Sequence, residues 1–527
     1  MPSGRRVDAT GPLPENREST TALEHTAARV SSSDCAARPT GGAHEACEER
    51  SSAPREREKL LGLAEHSAYA LLWLGFTALR FSSIAEKSPI YTGDKRIWAT
   101  IAEAPLLSRE FLLPRRPILY PLLFKTGLSD AEVVLVQTVL SVFGWGLLAY
   151  SLTKFFWRPA RIPIFGVTLL TALVTPVRAW DLVIRAESTS NSTIALTLAA
   201  ALLFLHSLGK PGSQNIVWAG FTCLFGTSMA MARDSNPYIL LLLVPAMAFA
   251  AYVTRIVRDD GSPRGIASVL FVLGWLTLSA LGAQWTARAA PRFDFPLMNV
   301  IFQRVLPDAE KRAFFATELG MPINQQLLSR TRKFASSNHR YAYTEPQLEP
   351  FREWVFTRGY ASYERYLITH LGQTIAEAYT GFSAVVGYNP VREGRATETG
   401  LTQFADQVLV AGVLKENPLI ACVALSLLGI VSLFHKKPSN KALGAILIFL
   451  VCTTLTQLYI CYHADAMEVT RHSLGVGLAL RLGVVLGIAL LLNLLVGFWS
   501  DSLRAQSILS RRFSGRPALA GEHARGS

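Results

Sequence analysis

His463, Asp465, Glu468, Arg471 and His472 fall within ten residues of the stretch YHADAMEVTRHSLGVGLALRLGV, between two apolar runs. Carboxylates and imidazoles at this density can hold or relay a proton, and an arginine beside them can meet an anion. If the residues after Met467 are helical, Glu468 and His472 share one face at i, i+4. A divalent metal would need His463, Asp465 and His472 to converge, and their spacing matches no sharp metal motif. The plainer reading of the same residues is a wet turn between two helices.

Four further places put ionisable groups at the edge of apolar runs. Asp94 follows Gly93 in IYTGDKRIWATIAEAPLLSREFLLPRRPILYPLLFK, where Ile97, Ile101 and Leu106 suggest an amphipathic helix along the membrane surface. A solvated loop with interfacial anchors is the alternative. Asp181 and Glu187 lie in TPVRAWDLVIRAESTSNSTIALTLAAALLFL, with Arg178 and Arg185 as companions. Glu187 also suits the first turn of a helix for dipole reasons alone. Arg233 and Asp234 open MARDSNPYILLLL, where an unpaired charge beside an apolar run is costly, so they pair with each other or the arginine snorkels to the surface. Arg481 sits amid Leu, Gly and Val, and must face a protein interior or a wet cavity rather than lipid.

What positions these residues is a membrane protein. Of the 527 residues 50% are hydrophobic and only 17% charged. The apolar residues gather in runs long enough to cross about 30 Å of hydrocarbon as helices. Ten spans are predicted, at about 66–84, 131–152, 163–178, 188–206, 215–232, 237–255, 266–287, 417–434, 442–462 and 475–498. The net charge of +13 comes largely from short loops. Five basic clusters (around Arg158, Lys210, Arg258, Lys437 and Arg511) fall on one side of ten threaded spans, so that side is the cytoplasm and both termini are inside. The basic balance therefore serves topology, and no nucleic-acid partner is expected. The six cysteines form no CxxC and no disulfide framework.

The expected fold is all-α and polytopic. A disordered cytoplasmic tail covers residues 1–58, without the apolar stretch of a signal peptide. A transmembrane core covers 59–287, with an outward connection at 85–130. A mostly helical extracytoplasmic cap covers 288–416, C-terminal spans 417–499, and a basic cytoplasmic tail 500–527. Within the cap, LPDAEKRAFFATELGMP reads as a short helix closed by Gly320.

The order of these motifs resembles the GT-C superfamily of membrane glycosyltransferases, of the kind that includes dolichyl-phosphate-mannose–protein mannosyltransferases. In that family an acid shortly after the first span precedes an interfacial helix and a stretch like RPPLYPLL. The counterparts here are Asp94, the 95–107 helix and RRPILYPLL at 115–123. The family commonly has Asp-Glu at the acid, whereas Lys95 follows Asp94. The 178–193 turn resembles the family's second outward loop, the arginine at 233 has family parallels, and the 463–472 turn resembles the last outward loop of bacterial members. The likeness is closest over 66–290 and looser over 460–490. It implies an inverting transfer of sugar from a polyprenyl-phosphate donor to a glycan, lipid or protein acceptor, at the outer face of a bacterial cytoplasmic membrane. By the same implication Asp94 activates the acceptor hydroxyl. Arg233, Arg471 and Arg481 stabilise the departing phosphate, and Asp181, Glu187, Asp234, His463, Asp465, Glu468 and His472 contact substrate. No cofactor is firmly implied, though a divalent metal fits such chemistry. No Walker A, GxSxG or HExxH motif appears, as suits a lipid-borne donor. The competing readings are a lipid-linked glycan transporter, a structural envelope protein and a polymerase of surface polysaccharide.

Overall fold

The computed structural model describes residues 42–85, 87–91, 94–208, 213–256, 263–290, 292, 294–335, 341–387, 400–409, 413–467 and 469–514. Apart from one isolated bridge, the regular structure among these residues is helical. The long helices are α1 (Gly42–Ile84), α2 (Asp94–Glu103), α3 (Asp130–Thr153), α4 (Arg158–Leu173), α5 (Ala186–Ser207), α6 (Gln214–Ala230), α7 (Asn236–Ile256), α8 (Pro263–Ala289), α9 (Leu371–Thr380), α10 (Gly400–Leu409), α11 (Pro418–Leu433), α12 (Pro438–Ala464) and α13 (Leu474–Ser514). Contacts divide the chain at Ala68 and Tyr69, within α1.

Among the described residues, six helices are long and apolar enough to cross a membrane: Asp130–Thr153, Ala186–Ser207, Asn236–Val253, Gly265–Ala289, Pro438–Ala464 and Leu474–Trp499. These are the features of a multi-pass membrane protein. The ten predicted runs all fall on helices, but four do not meet that standard as single straight spans. The 66–84 run is part of the long α1, 215–232 falls on the seventeen residues of α6, and 417–434 on the sixteen of α11. The 163–178 run is broken, because α4 and the following Thr175–Leu182 segment meet at a bend of 62°.

The break has an identifiable cause. Pro176 has no N–H to give the carbonyl of Ala172, four residues earlier, and Val174 is extended (ψ 143°). Arg80 of α1 supplies the missing donor, its guanidinium bonding the Ala172 carbonyl at 2.6 Å. On the other side of the break, the Thr175 backbone N–H donates to Asp406 of α10 at 2.8 Å. Two charged side chains thus satisfy the backbone groups that the bend exposes.

The long connection between α8 and α11 is split between two cores. Residues 297–366 build their own, around Phe302, Phe315, Phe351 and Trp354. Phe382, Val385, Val386, Ala405, Leu409 and Leu414 instead join the core of the spans. The short helix expected before Gly320 is present as Ala309–Thr317, capped by Asp308, with Gly320 at φ +66°.

Candidate functional site

The connections 87–130, 175–186, 231–235, 290–369 and 465–473 gather at one end of the helices. Ile90 and Val183 form a bridge in which the Ile90 N–H donates to Leu182 and the Ile184 N–H to Ile90, both at 3.0 Å. The Leu119 N–H donates to the Met231 carbonyl at 3.2 Å. Arg292 donates to the Pro114 carbonyl at 2.7 Å and to Asp234 at 2.8 Å. Arg233 and Asp234, neighbours in sequence, therefore part: Asp234 turns to Arg292 and Arg233 turns inward.

At the centre lies Glu187, 3% exposed, in the first turn of α5, where its charge also meets the positive end of the helix. Arg471 donates to its Oε1 at 2.8 Å, and Arg233 stands 3.8 Å from the same oxygen. His472 lies between these arginines, with Nδ1 3.1 Å from Arg233 and Nε2 3.3 Å from Arg471. An arginine only donates, and a neutral imidazole accepts at one nitrogen. If Nδ1 accepts from Arg233, Nε2–H turns toward Asp465, whose Oδ2 is 3.7 Å away. Burial, and then the charges of Arg233, Arg471, Arg116 and Arg185, hold the imidazole well below its ordinary pKa, so it is neutral.

Asp465 is placed by its neighbours. Its Oδ1 accepts from the Met467 N–H at 2.9 Å and from Asn299 at 3.4 Å. Asn299 in turn accepts from the Ala335 N–H at 2.8 Å, so the 297–366 core fixes this carboxylate. Burial pushes its pKa up to about 6 against the hydrogen bonds that lower it. Arg304 stacks over the Tyr462 ring at 3.8 Å, beside the Asp465 carbonyl.

The other residues singled out in the sequence lie elsewhere. Asp181 is 1% exposed and forms a buried ion pair with Arg80, reinforced by Ser188 at 2.7 Å. His463 turns into the long connection, accepting from Tyr363 at 3.1 Å and donating to the Thr374 carbonyl at 2.9 Å. Arg481 binds two backbone carbonyls, of Leu409 and Val386, and stands apart from the Glu187 cluster. Asp94 opens α2, but its side chain, like all of Glu468, lies outside the described residues. Its neighbour Lys95 pairs with Asp130 at 2.5 Å.

His463 and His472 thus point to different neighbours, and among the described residues no three His, Cys, Asp or Glu side chains come close enough to hold a metal ion. The charge balance around Glu187 suits an anion better, since one carboxylate is met by several arginines. A cavity of about 580 Å³ has mostly apolar walls, including Leu112, Ile118 and Trp285, with Arg109, Asp234 and Arg292 as its polar corner; Asp234 is the sequence neighbour of Arg233. Arg80, Asn299, Arg292 and Arg304 were not singled out from sequence. Arg80 was open to the reasoning applied to Arg481, as an arginine inside an apolar run. The other three carry no motif. Comparison of the sequence with protein-family models and with curated proteins finds no match.

Proposed function

We propose that this chain is a GT-C-type membrane glycosyltransferase, moving a sugar from a polyprenyl-phosphate donor to an acceptor at the extracytoplasmic face. The observation that carries the reading is the cluster of Glu187, Arg233, Arg471 and His472. Separate parts of the chain bring two arginines to one buried carboxylate, and the neighbouring Asp234, with Arg292, lines an apolar cavity large enough for part of a lipid chain. An amphiphile with a phosphate head matches both halves.

In the reaction the acceptor oxygen forms a bond to the anomeric carbon and gives its proton to a carboxylate. The bond from that carbon to the phosphate oxygen breaks, and the phosphate leaves with the electron pair. Asp94, at the start of α2, is the proposed base, and Asp465, titrating near 6, is the second candidate. Arg233 and Arg471 meet the charge that grows on the phosphate, and Glu187 and His472 hold the two guanidinium groups in place.

The test is transfer by purified protein in lipid, with a panel of radiolabelled polyprenyl-phosphate sugars and broken-membrane acceptors. Transfer lost in both Asp94→Asn and Arg471→Gln supports the assignment. Near-normal transfer in Asp94→Asn moves the base to Asp465. A transporter remains the second reading, because the 62° break beside buried charges is the kind of discontinuous helix that lines transport sites. Movement of a lipid-linked sugar across vesicles, with no transfer from any donor, would establish that reading instead.

A further inference from the structure

Arg481 is fully enclosed two turns into α13, about 10 Å along the helix from Leu474. It donates to the carbonyls of Val386 at 2.6 Å and Leu409 at 2.8 Å. Those are the last residues of the Phe382–Val386 helix and of α10, where carbonyls have no partner within their own helix and the dipole is negative. An arginine inside a membrane-crossing helix thus caps two helices of the long connection. The guanidinium itself lies beside Gly477, so these C-termini sit level with the first turn of that span.

The helices on either side carry surfaces that match this depth. Around α10, Thr402, Ala405 and Leu409 face protein, while Leu401, Phe404 and Val408 form an exposed apolar stripe at i, i+3, i+7. Gln403 and Gln407 occupy a third, exposed polar sector. Helix α9 repeats the pattern: Thr374 and Ala378 face protein, Leu371, Ile375 and Tyr379 form an apolar stripe, and Gln373 and Thr380 lie on the polar side. The six apolar side chains are 46–53% exposed. A helix surrounded by water has no reason for two outward sectors of opposite polarity. A helix held against protein at a lipid boundary needs all three.

We infer that α9 and α10 lie in the membrane–water interface, their Leu371–Ile375–Tyr379 and Leu401–Phe404–Val408 stripes against lipid. The bilayer is the occupant because α9 packs on α12 and α10 on α4, and Ala405 and Leu409 of α10 belong to the core of the spans. Asp406 fixes α10 to the break at Thr175, and Arg481 fixes its far end. The described residues of 297–366 have a separate core, tied to α9 by the Lys311–Glu377 ion pair at 2.7 Å. This inference does not depend on the chemistry proposed above.

The experiment places single cysteines in a full-length chain whose native cysteines are serine, checked for helical content and a monodisperse elution profile. Phe404→Cys and Ile375→Cys probe the stripes, and Gln407→Cys and Gln373→Cys the polar sectors. Each carries an environment-sensitive NBD label in phosphatidylcholine vesicles with or without a shallow nitroxide lipid. Because an interfacial helix sinks its apolar face only about 5–10 Å, the nitroxide should quench labels at 404 and 375 about threefold more than those at 407 and 373. Iodide should quench in the opposite order. Equal quenching at the two faces overturns the inference, as does blue-shifted emission at 404 and 375 without lipid quenching, which would mean a protein partner. If the cysteine-free chain does not fold, benzoylphenylalanine in place of Phe404 or Gln407 reads the same contrast in the native background. Phospholipid adducts at 404 alone are expected, and adducts at both positions or neither overturn it.

Discussion

Asp181 and Glu187 lie six residues apart, both buried at the same end of the helices, yet they are neutralised in opposite ways. Asp181 has one guanidinium, Arg80, whose two Nη atoms also donate to the Ala172 carbonyl and Ser141. The arrangement closes in charge: one carboxylate is matched by one guanidinium, which also holds the broken helix. Glu187 meets Arg471 and Arg233, which also touch His472, so cation is in excess. A closed pair holds a fold together. An unbalanced cluster asks for a further anion.

The largest expected effect comes from opening the closed pair. Arg80→Met strands a buried carboxylate and a free carbonyl, and should cost about 3–5 kcal/mol of stability, read as loss of folded protein in thermal melts in detergent. Adding Asp181→Asn should recover part of the loss. A single variant as stable as the parent would erase the contrast with Glu187. Next comes Arg471→Gln, which leaves Glu187 still facing Arg233. Under the transferase proposal its rate should fall about 10²–10³-fold with the melting temperature nearly unchanged. Equal losses of stability in the two arginine variants would instead make both sites structural.

The smallest effect separates Asp465 from His472. Asp465 is protonated more readily in the folded chain than its ordinary 3.8, so its contribution is present at low pH and is lost as pH rises toward 6. His472 is neutral in the folded chain and depressed below 6.5, so its contribution is present above that value and lost as pH falls. Between pH 4 and 6 the two oppose each other, each with a slope of at most about 1.4 kcal/mol per pH unit. In the parent these two contributions should nearly cancel in this window. Asp465→Asn should leave stability rising with pH, and His472→Gln should leave it falling. Parallel curves for all three proteins would show that neither group is perturbed as described.

The apolar runs were legible because membrane helices must be apolar over about twenty residues, whatever their neighbours. The break at 173–175 was not, although Pro176 was in plain view. A proline marks a kink only when other groups accept the freed backbone, and Arg80 and Asp406 come from 92 and 231 residues away. The same distance hid the division of the long connection. Its helical periodicity fits a free-standing cap and a membrane-edge helix equally well. The three exposed or buried sectors of α10 become visible only when α4 and α13 are beside it.

The sequence by itself determined which residues could carry charge at the membrane edge, because a charge beside an apolar run is costly enough to need a reason. It singled out Arg233 and Arg481 on that ground, and Asp181, Glu187, Asp465, Arg471 and His472 by their place in charged turns between apolar runs. Only the tertiary structure decided how those charges are shared. Glu187, Arg233, Arg471 and His472 make one cluster, Asp181 closes on Arg80, and Arg481 caps two helix ends. Pairing energies act over a few ångströms, and the chain folds residues hundreds of positions apart into that range.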